Sequence, residues 1–422
     1  MSPIFARDIG RHIQSANTPK LRDLDALEEF LWLVEQNVNV SHAVVAEVKG
    51  STTIGQWRSA LDAIQLRYPL LTASILKIPG KRPFFEKTRR VAMPLQIAPL
   101  TDSLVLEEEM EKELQKSFGD GSGPLTRATL FHSRHRSVVI FATHHSSMDG
   151  KSHLLLVQDL LASLAGEDLG EPLELQPGLG QLLGLPAPAE YAKNLEVGSV
   201  APESGTHSEM FKVRLHHLQL TVKETEVLLA RARQEGTTVH AALVAALTVA
   251  GKRHSEEWNA GPVRCVSPID MRRPLEIPHA VGVLISSHHA VVPTPDGASF
   301  WEIARAVRKD MLPAQSAHGA RHLLSTLSSM VAEERNAQDL YRSVLEGPLA
   351  HELMVTNYAG YQVRTKYGNL RVENLFTGSP SIIPSRQKVS VLTVNERLGM
   401  TLVAHNVFPT LLEDAREILT RV

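Results

Sequence analysis

The stretch RATLFHSRHRSVVIFATHHSSMDGKSHLLLVQDLLASL, Arg127 to Leu164, decides the reading of this chain. Two apolar runs, Arg127 to His132 and Ser137 to Thr143, are rich in β-branched residues and are separated by Ser133 to Arg136, which predicts an antiparallel hairpin. The second run ends in HHSSMDG, His144 to Gly150, and Lys151 to Leu164 then shows helical spacing of leucines. The motif therefore sits at a strand-to-helix junction, where side chains can face a cleft. Two histidines, an aspartate and a glycine at these four places coincide by chance in roughly 0.003 of chains this long. Asp149 is also a favoured helix cap, so capping is its plainer reading.

Working outward, an amphipathic helix is predicted over Leu21 to Gln36, a strand over Ser41 to Val48, a helix over Thr53 to Arg67 and a strand over Leu70 to Leu76. An acidic helix is predicted over Val105 to Phe118. From Gly166 to about His207 the chain is dense in Gly and Pro, which reads as a connection. Beyond it the pattern resumes: a strand over Phe211 to Leu220, a helix capped by Thr221, and TVHAALVAALTVAG, Thr238 to Gly251, apolar nearly all round and so a buried helix. Strands follow over Val263 to Ile269, Ala280 to Val292, Leu353 to Asn357 and Lys388 to Val394. Helices are predicted over Phe300 to Leu312, His318 to Ala332 and Leu411 to Val422. The expected fold class is mixed α/β with two-layer α+β halves: residues 1–170, a Gly/Pro-rich linker over 171–207, and 208–422.

Composition narrows the function classes. The 422 residues give a prior of two or three domains at roughly 150 each. With 43% hydrophobic and 21% charged residues the chain reads as globular. Lys plus Arg is 44 and Asp plus Glu is 46, a net charge of −2, which argues against a dedicated nucleic-acid binder. One cysteine, Cys265, excludes an intrachain disulfide and a Cys-rich zinc site, and reads as a small buried hydrophobe. The first residues, MSPIFARDIGRHIQ, hold no signal-peptide core, and Ala241 to Gly251 is far short of a membrane span of roughly 20 residues. The expectation is a cytoplasmic protein without a membrane span.

The HHxxxDG pattern resembles the CoA-dependent acyltransferase superfamily. That group includes chloramphenicol acetyltransferases, dihydrolipoyl acyltransferases, condensation domains of nonribosomal peptide synthetases, wax ester synthases and mycobacterial polyketide-associated acyltransferases. The resemblance extends along the chain in order. RSALDAIQLRYPLLTASI, Arg58 to Ile75, is similar to the family's early helix and strand; Thr238 to Ala250 to its apolar helix; Ser267 to Arg272 to its P-x-D-x-R strand end; and Val355 to Gly360 to its S-N-x-G stretch, with Thr356 in place of Ser.

The resemblance implies two chloramphenicol-acetyltransferase-like domains with the active site in a tunnel where they meet. It implies transfer of an acyl group from acyl-CoA or a phosphopantetheinyl acyl-carrier protein to a small-molecule acceptor. A hydroxyl is favoured over an amine, and the setting is secondary metabolism or lipid and polyketide biosynthesis. His145 is the implied general base, an imidazole being suited by its ordinary pKa to take a proton near neutrality. His144 accompanies it, and no covalent enzyme intermediate and no permanently bound cofactor are expected. Asp149 is implied to be structural, pairing with Arg272 (or with its neighbour Arg273) to hold the loop that presents His145. Gly150 either leaves room for the thioester arm or simply starts the helix. Ser385 and Ser390 are the candidate oxyanion donors.

Other features carry less. His288-His289 and His216-His217 read as packing. Lys81, Arg82, Lys87, Arg89 and Arg90 read as a solvated hairpin, or as a contact for CoA phosphates or an acidic carrier. HHxxxD lacks common zinc spacing, so no metal is expected. A monomer is expected, since two halves already make one site. Amide formation between carrier-bound substrates, a non-catalytic carrier-binding protein and, more remotely, a metal-dependent hydrolase are the competing readings.

Overall fold

The computed structural model describes residues 19–78, 81–88, 92–186, 212–295, 297–333, 337–347, 349–358, 360–383 and 386–421. Ser385, Arg89, Arg90 and the stretch 187–211, with most of the predicted linker, lie outside the described residues.

The fold is mixed α/β, built on two six-stranded sheets. The first runs in the order β12 (Lys366–Tyr367), β13 (Leu370–Gly378), β2 (His42–Lys49), β7 (Arg136–Thr143), β6 (Thr126–His132), β5 (Leu95–Pro99). The second runs β10 (Ile285–Val292), β9 (Val263–Asp270), β11 (Leu353–Asn357), β14 (Gln387–Val394), β15 (Arg397–Ala404), β8 (Arg214–Gln219). A small sheet joins β1 (Lys20–Asp23), β4 (Phe84–Lys87) and β3 (Ala73–Leu76). The hairpin read from sequence forms as β6 and β7, antiparallel with Thr126 opposite Thr143. β13, late in the chain, pairs antiparallel with β2 and so completes the first sheet.

Four helices of the first part are α1 (Ala26–Glu35), α2 (Ile54–Arg67), α3 (Leu106–Leu114) and α4 (Gly150–Leu164). Thr53 caps α2 by accepting from the Gln56 N–H, and Gln56 returns to the Thr53 N–H, both as the T-x-x-Q pattern dictates. The helix Val239–Gly251 is buried on all sides, because its small side chains let it pack under the second sheet.

Four sequence expectations need correction. The strand expected from Ala280 begins only at Ile285, because the segment before it bonds to Asp149 and Arg272 instead of to a neighbouring strand. The first helix does not begin at Leu21: Lys20–Asp23 is drawn into β1 by β4, and α1 starts only after Asp25, whose N–H is bonded to Glu28. Leu70 does not start a strand, since Pro69–Thr72 forms a 3-10 turn and β3 begins at Ala73. The acidic helix stops at Leu114. The described part of the Gly/Pro-rich stretch holds one helical turn, Leu179–Leu182, and buries Leu179 and Leu183 against α1.

Candidate functional site

HHSSMDG forms the turn between β7 and α4. Asp149 has an extended backbone and caps α4 by accepting from the Ser152 N–H at 2.8 Å. The same carboxylate meets Arg272. Arg272 Nη1 donates to Asp149 Oδ2 and Nη2 to Oδ1, both at 2.9 Å, and both side chains are buried. Capping and pairing are thus two uses of one side chain.

Leu284 N–H also donates to Asp149 Oδ2, and the Asp149 N–H donates to the Gly282 carbonyl. The segment after Arg272 is therefore bonded directly to the motif loop. Burial pushes the Asp149 carboxyl upward, but the Arg272 charge and these hydrogen bonds hold it below the usual carboxylate range. Arg272 is further fixed by the Ala280 carbonyl and by Asp270. Arg273, the alternative partner, instead lines a cavity.

The two adjacent histidines point to different environments. His144 is fully buried and its Nδ1 accepts from the Ser146 N–H at 3.1 Å, which shapes the turn. Burial first, then the neighbouring His145, lowers its pKa to about 3. His145 is half-buried and lines the cavity. Its Nδ1 lies 3.1 Å from the Met148 carbonyl. A carbonyl only accepts, so Nδ1 carries the proton and Nε2 keeps a lone pair. Desolvation, with a smaller push from Lys388, lowers the His145 pKa to about 4, so the ring is neutral at pH 7.

The cavity has a volume of about 380 Å³. Its wall takes residues from both halves of the chain: His42, His145 and Gly150 from the first, Tyr358, Lys388 and Ser390 from the second. Ser390, on β14, lines the cavity and is otherwise buried. Gly150 is explained by Tyr358: a Cβ there would lie 1.8 Å from the tyrosine oxygen, so only hydrogen fits. The space beside Gly150 is thus filled by Tyr358.

Several lining groups were not legible beforehand. His42 is buried on β2, its Nδ1 2.5 Å from Nδ1 of His153 and its ring centroid 5.9 Å from that of His145. A single histidine in SHAVVAEV and another in KSHLLL give no spacing signal; only pairing β2 beside β7 brings them together. Lys388 is likewise a lone lysine at a strand start. His289, expected in packing, is exposed at the edge of the cavity, where it contacts Ser287. His288 pairs with Asp310, and His217 stacks on Phe376. In the basic cluster Lys81 and Lys87 are exposed, but Arg82 is buried against Glu29 and so is not part of a solvated face. Cys265 is buried, and its thiol is pushed up to about 12.

Among the described residues no three His, Cys, Asp or Glu side chains group as metal ligands would, and no helix is long and apolar enough to cross a membrane.

Comparison with known proteins bears on the family and the fold. Residues 30–178 match the family model "Condensation domain", and residues 209–339 match "Phthiocerol/phthiodiolone dimycocerosyl transferase C-terminus". Over 294 residues the chain is 22% identical to bacitracin synthase 3 of Bacillus licheniformis; this covers 65% of the chain, and the chain spans 4% of that synthase. The condensation domain of the Monacolin K polyketide synthase superposes with a TM-score of 0.70 at 14% identity, over 96% of this chain and 97% of that one. Polyketide synthase associated protein 5 from Mycobacterium tuberculosis superposes at 0.67 with 15% identity, over 95% and 97%. One model matches before and the other after the Gly/Pro-rich stretch, and the fold is that of condensation domains, so both parts of the chain resemble the condensation-domain-like CoA-dependent acyltransferases.

Proposed function

We propose that this chain transfers an acyl group from a thioester, carried on CoA or on an acyl-carrier protein, to the hydroxyl of a small-molecule acceptor. The observation that carries this reading is His145: a neutral imidazole at the wall of the cavity, its Nδ1–H held by the Met148 carbonyl and its Nε2 left with a lone pair. In the proposed reaction Nε2 takes the acceptor's proton as its oxygen attacks the thioester carbon. The tetrahedral oxyanion then collapses, the C–S bond breaks, and the protonated imidazole returns its proton to the leaving thiol. No bond to the protein forms. Ser390 is the candidate donor to the oxyanion among the described residues.

Asp149 and Arg272 act as positioning residues. Their pair holds the turn that fixes Met148, and hence the His145 tautomer. Residues 1–170 and 208–422 are proposed as two acetyltransferase-like lobes, the second lending β12 and β13 to the sheet of the first, with the cavity as a passage shared between them. Donor and acceptor would enter from opposite sides, which limits hydrolysis. Support comes from the wall itself, which draws on β2 and the motif turn as well as on β11 and β14. Ester formation is favoured because free-standing members of this superfamily commonly acylate alcohols.

The test is thiol release and product mass, measured with a panel of acyl-CoA and acyl-carrier donors against alcohols and amines. An ester is expected, and His145→Ala should slow transfer by about 10²–10⁴-fold. Wild-type rates from that variant would remove the assigned base; an amide product would move the reading to condensation. Carrier binding with no thiol release from any donor would make the chain a binding protein.

A further inference from the structure

The cavity wall holds a buried charge with no counter-ion among the described residues. Four lining side chains are charged at neutral pH: Lys151, Arg273, Asp270 and Lys388. Asp270 is already committed, accepting from Lys151 Nζ at 2.7 Å and from Arg272 at 2.8 Å. Lys388 stands apart from this group at the start of β14 and is 7% exposed. Its ammonium donates to the Ser379 hydroxyl and to the Pro380 carbonyl, both neutral acceptors, which occupies two of its three protons.

The titratable groups that face it are the imidazoles of His42, His145 and His351, all held neutral by burial. Among the described residues no carboxylate pairs with it. A buried ammonium without a counter-ion is costly, and burial pulls its pKa to about 8. Such a group is a ready partner for an anion small enough to enter the cavity. One part of the wall is aliphatic, where Leu27 and Leu31 of α1 meet Leu323 and Leu327 of the helix Ala317–Glu333.

We propose that the cavity takes a carboxylate-bearing aliphatic substrate, its carboxylate paired with Lys388 and its chain lying along this leucine wall. This rests on reading the cavity as the substrate site. A consequence follows for the base. The Lys388 charge helps to keep protons off His145. A carboxylate seated on Lys388 cancels that field, so His145 becomes a better base once the substrate is bound.

The carboxylate can belong to the acceptor or to the acyl group, and calorimetric titration of the full chain separates the two. One arm compares 3-hydroxy acids of six to twelve carbons with their methyl esters. The other compares glutaryl-CoA and adipoyl-CoA with pentanoyl-CoA and hexanoyl-CoA. In one arm the carboxylate member should bind at least tenfold more tightly than its neutral partner. Lys388→Met and Lys388→Gln should each erase that preference, and Lys388→Arg should keep part of it. Two isosteres guard against one failing to fold, which melting curves will show.

The absence of any carboxylate preference in both arms overturns the proposal, as does a preference that survives in the folded Met or Gln variant. Binding is read without turnover. Failure of acyl transfer with the preference intact would therefore count against the proposed reaction and not against the carboxylate site.

Discussion

Arg272 grips Asp149 through two parallel hydrogen bonds of 2.9 Å, and solvent reaches neither side chain. Their 123-residue separation makes the pair a clasp between the motif turn and the end of β9. Removing one partner of such a pair strands the other charge, at a cost of about 3–5 kcal/mol. Asp149→Ala should lose that much in urea unfolding, together with transfer activity. Unchanged unfolding with activity lost would assign Asp149 to the chemistry instead.

Gly150 and Tyr358 make a second contact between distant parts of the chain. With a Cβ forced to 1.8 Å from the tyrosine oxygen, Gly150→Ala must displace the Tyr358 ring. Overpacking of this kind costs about 1–3 kcal/mol. The double variant Gly150→Ala/Tyr358→Ala should recover part of the melting temperature lost by Gly150→Ala alone. No recovery would mean that something other than the ring demands glycine.

Burial gives the fold an acid sensitivity. His145, His240 and His351 have pKa values lowered to about 4, His144 and His153 to about 3, chiefly by desolvation. Between the ordinary histidine value of 6.5 and these values the unfolded chain binds protons that the folded chain refuses. Stability should therefore fall steadily as pH drops from about 6.5 towards 4. Denaturant midpoints that stay level across this window would contradict the neutral, buried imidazoles.

Lys388 should leave two further signatures. Its ammonium is desolvated without a counter-ion, so Lys388→Met should raise stability at pH 7, by roughly 3 kcal/mol if the full lowering to about 8 is relieved. The wild-type protein should also gain stability as pH rises from about 8 to 10.5, where the unfolded chain still holds a proton that the folded lysine has lost. The variant should lack this gain. In rate measurements its acidic limb should move to higher pH, since His145 no longer feels the charge. An unmoved limb would mean that the two groups are electrically independent.

Much of the local structure was legible because it is written in short-range pattern. The β6–β7 hairpin, the capped start of α2 and the buried helix Val239–Gly251 follow from alternation, a capping box and uniform apolarity. Misreadings fell where a distant partner overrides that pattern. Leu21 and Arg22 have helical spacing, but an open edge at β4 claims them as strand. β13 was not singled out, yet it completes the first sheet on β2.

The sequence by itself determined the motif, its place between a strand and a helix, and the resemblance to a superfamily, because HHxxxDG is contiguous and survives without knowledge of packing. Tertiary structure alone decided which atoms surround His145. His42, Tyr358 and Lys388 come from three separate stretches, and no spacing links them. Their burial, and so the neutrality of the imidazoles and the unbalanced ammonium, depends on solvent exclusion, which exists only once the chain has folded around the cavity.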